Sequence, residues 1–262
     1  MSPPTVLVTG AAGTIGSRFS RTIAPRFRLR LADLAPDGLP AIPGTESIHL
    51  DVRDAASCAR ACEGVDVVVH LAADPSTDAP FHESLLHTNI EGTYNVFQAA
   101  KDAGCARVVF ASSINVMSGY PLDVQAHPET PVRPGNVHGV SKSFGEALAA
   151  YFAFVEGLSS IVVRIGFYCE DLEAVVADAR TLSAFVDPDD LCDLLERCIV
   201  AENVEFAIVH GVSNNRFKRL DLTSTRRLLG YHPTADAFRV FGTGLRYRDR
   251  WDADPDTGRR EA

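Results

Sequence analysis

Three glycines, Gly10, Gly13 and Gly16, punctuate a turn that follows the apolar run Val6-Leu-Val-Thr and opens the amphipathic stretch Ile15–Ala24. Glycine lets such a turn tighten and lets the main chain approach a bulky anion without a Cβ in the way. The helix behind it offers unpaired N–H groups, at Thr14, Ile15 and Gly16, and a partial positive charge. A second strand ends at Asp33, 23 residues after Gly10. A carboxylate there accepts hydrogen bonds from both hydroxyls of an adenine ribose and repels a 2′-phosphate, so the unit reads as a site for NAD in preference to NADP. A glycine triplet alone is weak; the preceding strand, the following helix and the acid closing the next strand give this one its meaning. Asp51, after a third strand, suits the adenine amino group and suits a helix N-cap nearly as well.

The remaining chain repeats the same alternation. Strands are predicted near Thr5–Thr9, Arg28–Asp33, Ser47–Leu50, Val65–Leu71, Arg107–Ser112, Ser160–Ile165 and Glu205–Val209. Helices are predicted over Ile15–Ala24, Ala55–Cys62, His82–Ala103, Val137–Val155 and Asp189–Val200. Several strands are apolar throughout, as parallel strands covered on both faces are. The pattern predicts an α/β fold, a Rossmann-type doubly wound parallel sheet. Gly104 suits the residue just past a helix end, and Pro188-Asp-Asp suits a helix start. After about residue 167 the alternation weakens. We therefore expect a dinucleotide-binding part over 1–166. Over 167–262 we expect the last strand, a tail and a small C-terminal substrate cap, built from Phe167–Pro188 and Val212–Phe241. The whole forms a single structural domain. The tail Gly244–Ala262, with Trp251, suits either disorder or packing on another subunit.

The net charge of −9 argues against nucleic acid or an anionic membrane as partner. The N-terminus carries no signal-peptide pattern, and apolar runs such as Val65–Val69 are strand-length, so a cytoplasmic protein is expected. The six cysteines, Cys58, Cys62, Cys105, Cys169, Cys192 and Cys198, form no CxxC pair. Cys58 and Cys62, four apart on a helix, suit a metal in principle but suit reduced, buried thiols far better, and no metal is expected.

The glycine turn, Asp51-Val52, His70-Leu-Ala-Ala73, Asn89, Phe110-Ala-Ser-Ser113 and Gly139-Val-Ser-Lys142 together resemble the extended short-chain dehydrogenase/reductase family, which includes NAD-dependent epimerases and dehydratases. Leu31–Pro36, Asn89–Asn95, Val109–Ser113, Gly139–Glu146 and Val163–Gly166 are most similar to its uronate dehydrogenase branch. The resemblance spans roughly residues 4–240. It implies that Val52, Leu71, Ala72 and Ala73 line the cofactor and that Asn89 supports the active site beside it. Ser113 then stands beside the reacting carbon, and Lys142 holds the nicotinamide ribose. Gly166 and Phe167 lie near the carboxamide. Arg180 grips a substrate carboxylate, and Ser76 and Asn115 lie on substrate loops. The helices flanking Lys142 imply a homodimer. Read as residues alone, Ser112 and Ser113 also suit strand-end caps, Arg180 a solvated surface position, and Ser213-Asn-Asn-Arg216 either a pocket edge or a plain turn. Ile114 stands where the branch carries a polar residue.

One departure bears on chemistry. The family motif is Tyr-x-x-x-Lys, and here the tyrosine position is His138, four residues before Lys142 and 25 after Ser113. An imidazole moves protons near neutral pH, but it is shorter than a phenol, and Lys142 opposes its protonation. Three readings stay open. The first is an NAD-dependent oxidoreductase of a sugar or sugar acid using His138, directly or through a water. The second is a non-redox or internally redox enzyme, an epimerase, dehydratase or isomerase. The third is a catalytically silent NAD-binding sensor. An engineered loss of the tyrosine cuts across all three. Tyr120, on the loop after Ser113, suits rim packing better than a substitute hydroxyl.

Overall fold

The computed structural model describes residues 3–241 apart from 173, 174 and 176; the tail Gly244–Ala262 lies outside them. Its elements are β1 (Thr5–Thr9), α1 (Thr14–Ile23), β2 (Arg28–Asp33), β3 (Glu46–His49), α2 (Ala55–Cys62) and β4 (Val67–His70). A π-helical segment, Phe81–Glu91, then runs directly into α3 (Gly92–Asp102). There follow β5 (Arg107–Ser113), a 3₁₀ turn (Ile114–Met117), α4 (Val137–Phe154) and β6 (Ser159–Ile165). The last part holds β7 (Phe167–Tyr168), α5 (Ala179–Ala184), β8 (Phe185–Val186), α6 (Pro188–Val200), β9 (Phe206–Gly211), α7 (Thr223–Leu229) and α8 (Ala237–Val240).

Seven strands form one parallel sheet in the order β3-β2-β1-β4-β5-β6-β9. The side chains of β1 alternate between two cores. Val6 and Val8 pack with Phe19 and Ile23 of α1 and with Leu191 and Leu195 of α6. Leu7 packs on the other face with Phe97 of α3 and Phe152 of α4. Burial on both faces is why the strands read as unbroken apolar runs. The chain winds outward in both directions from between β1 and β4, so a crevice opens there beyond the strands' carboxyl ends.

Each predicted strand and helix is present, with one change of kind. The stretch expected as one helix from His82 is wound in π geometry through Glu91, with the Leu85 N–H bonded to Pro80 O and the Gly92 N–H to His87 O. The wider winding turns Asn89 into the protein, where it ties two segments together (below). Such windings are rare and concentrate at functional sites. Gly104 does end α3, at φ +74°. The N-cap of α2 is Asp54, which accepts from the Ala56 N–H, so Asp51 is free of that duty. The cap segments carry a small core of their own, Leu182, Phe185 and Ala237. Ser213-Asn-Asn-Arg216 serves as a structural turn: Ser213 donates to Asp190, Asn215 bonds Phe185 O and the Ala237 N–H, and Arg216 pairs with Asp236. Among the described residues no helix is long and apolar enough to cross a membrane. The six cysteines are unpaired.

Candidate active site

A cleft of about 1100 Å³ runs along the carboxyl edge of the sheet. At its middle is the glycine turn. A Cβ on Gly10, at φ +70°, would meet Ala72 N at 2.7 Å, and one on Gly16 would run into Gly10 O. Both glycines are therefore demanded by the close approach of β1, α1 and the loop after β4. Gly13, the N-cap of α1, provides no side-chain cap, and no acid stands in the first turn. The leading N–H groups of α1 thus remain available to an anion.

At one end stands Asp33. Its two oxygens accept from the N–H groups of Ala12 (3.0 Å) and Ala35 (3.1 Å), which leaves each a lone pair for a diol. Leu34, the next residue, is exposed and apolar, so that position offers no cation to a 2′-phosphate. Asp51 and Val52 line the same end, joined by Arg53, whose guanidinium grips Asp51. That pairing holds the Asp51 carboxyl below its usual range.

Toward the other end the loops after β4, β5 and β6 converge. Leu71, Ala72, Ala73, Ser113, Asn115, His138, Lys142, Gly166, Phe167 and Arg180 all line the cleft. The two adjacent serines separate by partner. Ser112 donates to Glu146 at 2.6 Å and is committed there. The Ser113 oxygen accepts from the Asn115 N–H at 3.1 Å, a cap, but its own proton is free to donate. Lys142 is buried, donates to Ala111 O at 2.9 Å and lies 5.2 Å from the centre of the Phe110 ring. Burial lowers its pKa to about 8. His138 is lowered to about 4, by burial first and then by Lys142, against an opposing pull from Asp74. Its Nδ1 is buried without a hydrogen-bond partner.

Two expected site residues stand elsewhere. Asn89 does not line the cleft: its oxygen accepts from the Asp74 N–H, and its amide donates to Asp74 O and Ser141 Oγ. Ser141 in turn donates to His138 O, so Asn89 is tied to the first turn of α4, which carries His138. Ser76 caps its own loop, accepting from the Asp78 N–H, while its neighbours Pro75 and Thr77 reach the cleft. Tyr120 donates to Pro131 O, lies under Arg133 and is absent from the lining, as rim packing requires.

Sequence reasoning missed a buried ion pair behind the site. Glu146 receives two bonds from Arg164, at 2.9 and 2.8 Å, besides the one from Ser112. A signal existed: Arg164 interrupts the apolar run Ile161-Val-Val-Arg-Ile, and a charge in a covered strand must find a partner. Arg219 was missed as well. It is buried, lines the cleft and donates to the carbonyls of Met117 and Tyr120, closing the turn that carries Asn115.

A model of the NAD dependent epimerase/dehydratase family matches residues 6–167. The chain belongs to that family. It is 36% identical over 255 residues to L-arabinose 1-dehydrogenase (NAD(P)(+)) of Haloferax volcanii, an alignment covering 90% of this chain and 98% of that protein. It is 34% identical over 213 residues to uronate dehydrogenase of Pseudomonas syringae pv. tomato, covering 80% and 75%. Uronate dehydrogenase from Agrobacterium tumefaciens has a solved structure that matches with a TM-score of 0.83 at 35% identity, over 98% of this chain and 96% of that one. A tyrosine-to-alanine mutant of that enzyme, complexed with NAD, matches with a TM-score of 0.81 at 37% identity, over 91% and 88%. NAD is the family's cofactor. The uncapped helix start, the glycine close approach and the half-satisfied Asp33 carboxylate fit it.

Proposed function

We propose that the protein is an NAD-dependent dehydrogenase of a sugar or sugar acid, with Ser113, His138 and Lys142 at the reacting centre. The observation that carries this is His138. Its ring is held neutral, and it lines the same cleft as Lys142 and Ser113, whose proton is free to donate. NAD, when bound, supplies the hydride acceptor. Ser113 donates a hydrogen bond to the substrate hydroxyl oxygen. The imidazole takes the hydroxyl proton as a general base, directly or through one water. Lys142, cationic below about pH 8, then disfavours imidazolium and helps pass the proton to solvent. Arg180, which lines the same cleft, pairs with the carboxylate of a sugar acid.

Within one structural domain, residues 1–166 hold the cofactor, and the segments Phe167–Pro188 and Val212–Phe241 cap the substrate. The working unit is a dimer of two copies. Val140, Phe144 and Tyr151 on α4, with Tyr94 on α3, form an exposed apolar stripe that a second copy would cover. Five buried, unpaired thiols suit a reduced, cytoplasmic setting.

The test follows NADH absorbance with a panel of uronic acids and aldoses, for the protein and for His138→Tyr. Turnover by both, faster in the tyrosine variant, is expected. If neither oxidises any sugar while calorimetry shows tight NAD binding, the protein is a silent binder and the proposal is wrong.

A further inference from the structure

A base that takes a proton becomes a cation, and His138 does so among cations. Lys142 lies one turn on along α4 and acts on the ring, and Arg180 and Arg219 line the same cleft. Among the described residues, the acid that acts on the ring is Asp74, on the loop after β4. The fold ties this residue to the histidine through Asn89. The Asn89 side chain accepts from the Asp74 N–H (2.8 Å) and donates to Asp74 O (3.1 Å). Its amide nitrogen also donates to Ser141 Oγ (3.1 Å), which donates to His138 O (2.7 Å). One buried side chain thus clasps the main chain of Asp74 and the turn that carries His138. The carboxylate itself is held by two neutral donors, the Ser76 N–H on Oδ1 (3.0 Å) and the Ser84 hydroxyl on Oδ2 (2.5 Å). Neither donor neutralises its charge, and each oxygen keeps a lone pair.

We propose, on the reading that His138 is the base of a dehydrogenase, that Asp74 is a positioning residue: the fixed counter-charge that lets His138 become imidazolium beside Lys142. In that reaction the alcohol loses its C–H hydrogen as hydride to NAD and its O–H proton to the imidazole, leaving a carbonyl. The arriving proton brings a second positive charge next to Lys142, and a carboxylate held nearby offsets the repulsion. A tyrosine at position 138 has the opposite need. Its active form is an anion, which Lys142 favours and Asp74 opposes. The two bases therefore respond to Asp74 with opposite sign. A merely structural role for Asp74 cannot produce that inversion, because loosening the loop harms both.

The test places Asp74→Asn in two backgrounds and follows NADH formation from whichever uronic acid or aldose is oxidised fastest. In the otherwise wild-type protein, kcat should fall by about threefold to tenfold, with KM not raised. In His138→Tyr the same change should move the rising limb of the pH profile down by about 0.5 to 1 pH unit and raise kcat/KM at neutral pH to match. Asp74→Glu, which keeps the charge, should retain most of the wild-type kcat. A second readout needs no turnover. The 15N NMR signals of the His138 ring should begin to move toward imidazolium values as the solution is taken from about pH 7 to about pH 5, and should move less in Asp74→Asn. Slower turnover in both backgrounds would overturn the proposal, as would an unchanged kcat in the wild-type background. If no variant oxidises any sugar but the ring signals still depend on Asp74, the dehydrogenase reading falls and the coupling of Asp74 to His138 stands. Ring signals indifferent to Asp74 would remove the coupling itself.

Discussion

Whether the site runs on His138 is decided at single atoms. A tyrosine beside Lys142 must ionise before it accepts a proton, whereas His138 is neutral above about pH 4 and needs no such step. The two bases therefore carry different pH signatures. For the wild-type protein we expect a kcat/KM profile for sugar oxidation that is flat from about pH 5 to 8 and bends only where Lys142 loses its proton. In His138→Tyr the rate should climb through the neutral range, by about tenfold per pH unit while phenolate is the minor form. A rising limb near pH 6–7 in the wild-type profile would show that His138 is not a neutral base. The same scale explains which serine keeps a proton free to donate. Nothing in Ser112-Ser113 as a sequence distinguishes them, and the difference is that Glu146 occupies Ser112.

Elements are held in register at the site by polar groups placed inside them. Glu146 sits one turn beyond Lys142 on α4, and its pair with Arg164 pins that helix to β6. Both side chains are almost wholly buried, so removing one strands the other's charge. Glu146→Ala should destabilise the fold by ~3–5 kcal/mol in urea titrations, and Glu146→Gln by less. Loss of under ~1 kcal/mol would mean the pair is relaxed by solvent in a way the structure does not show. Asn89 has the analogous duty between the loop after β4 and α4. Its π-helical setting was not legible, because apolar spacing over His82–Ala103 is compatible with either winding. Only the partners Asp74 and Ser141, the latter 52 residues away, make the wider turn worthwhile.

Over the whole molecule, three buried histidines make folding sensitive to mild acid. His70, His138 and His210 are lowered to about 3, 4 and 4, by burial first, with nearby cations adding to the effect and Asp74 at His138 and Asp221 at His210 opposing it. Unfolded, each takes up a proton near pH 6.5; folded, none does until far lower. The unfolded chain thus binds more protons across this window, and stability falls as pH drops through it. Each fully buried ring contributes on the order of 3 kcal/mol at the acid end. Urea midpoints should fall steadily from pH 7 to 5, before carboxylates titrate; a constant midpoint would contradict buried neutral rings. Assembly belongs to this scale too. Phe144→Glu should turn a dimer into a monomer in analytical ultracentrifugation, and a wild-type monomer would remove the role proposed for the α4 stripe.

What the amino-acid sequence determined by itself was local. Strand and helix follow from apolar period, the turn at Gly10–Gly16 from the absence of a Cβ, and the expectation of a ribose site from an acid closing the second strand. These depend on neighbours a few residues apart or on spacing that one βαβ unit imposes. The tertiary structure decided how polar atoms are shared. Ser112 is committed and Ser113 free, Asn89 braces without touching the cleft, and Asp51 holds Arg53 with both oxygens. The reason is that a hydrogen-bonding group has few lone pairs and protons, and which partner takes them depends on distant segments that only the folded sheet brings within 3 Å or so.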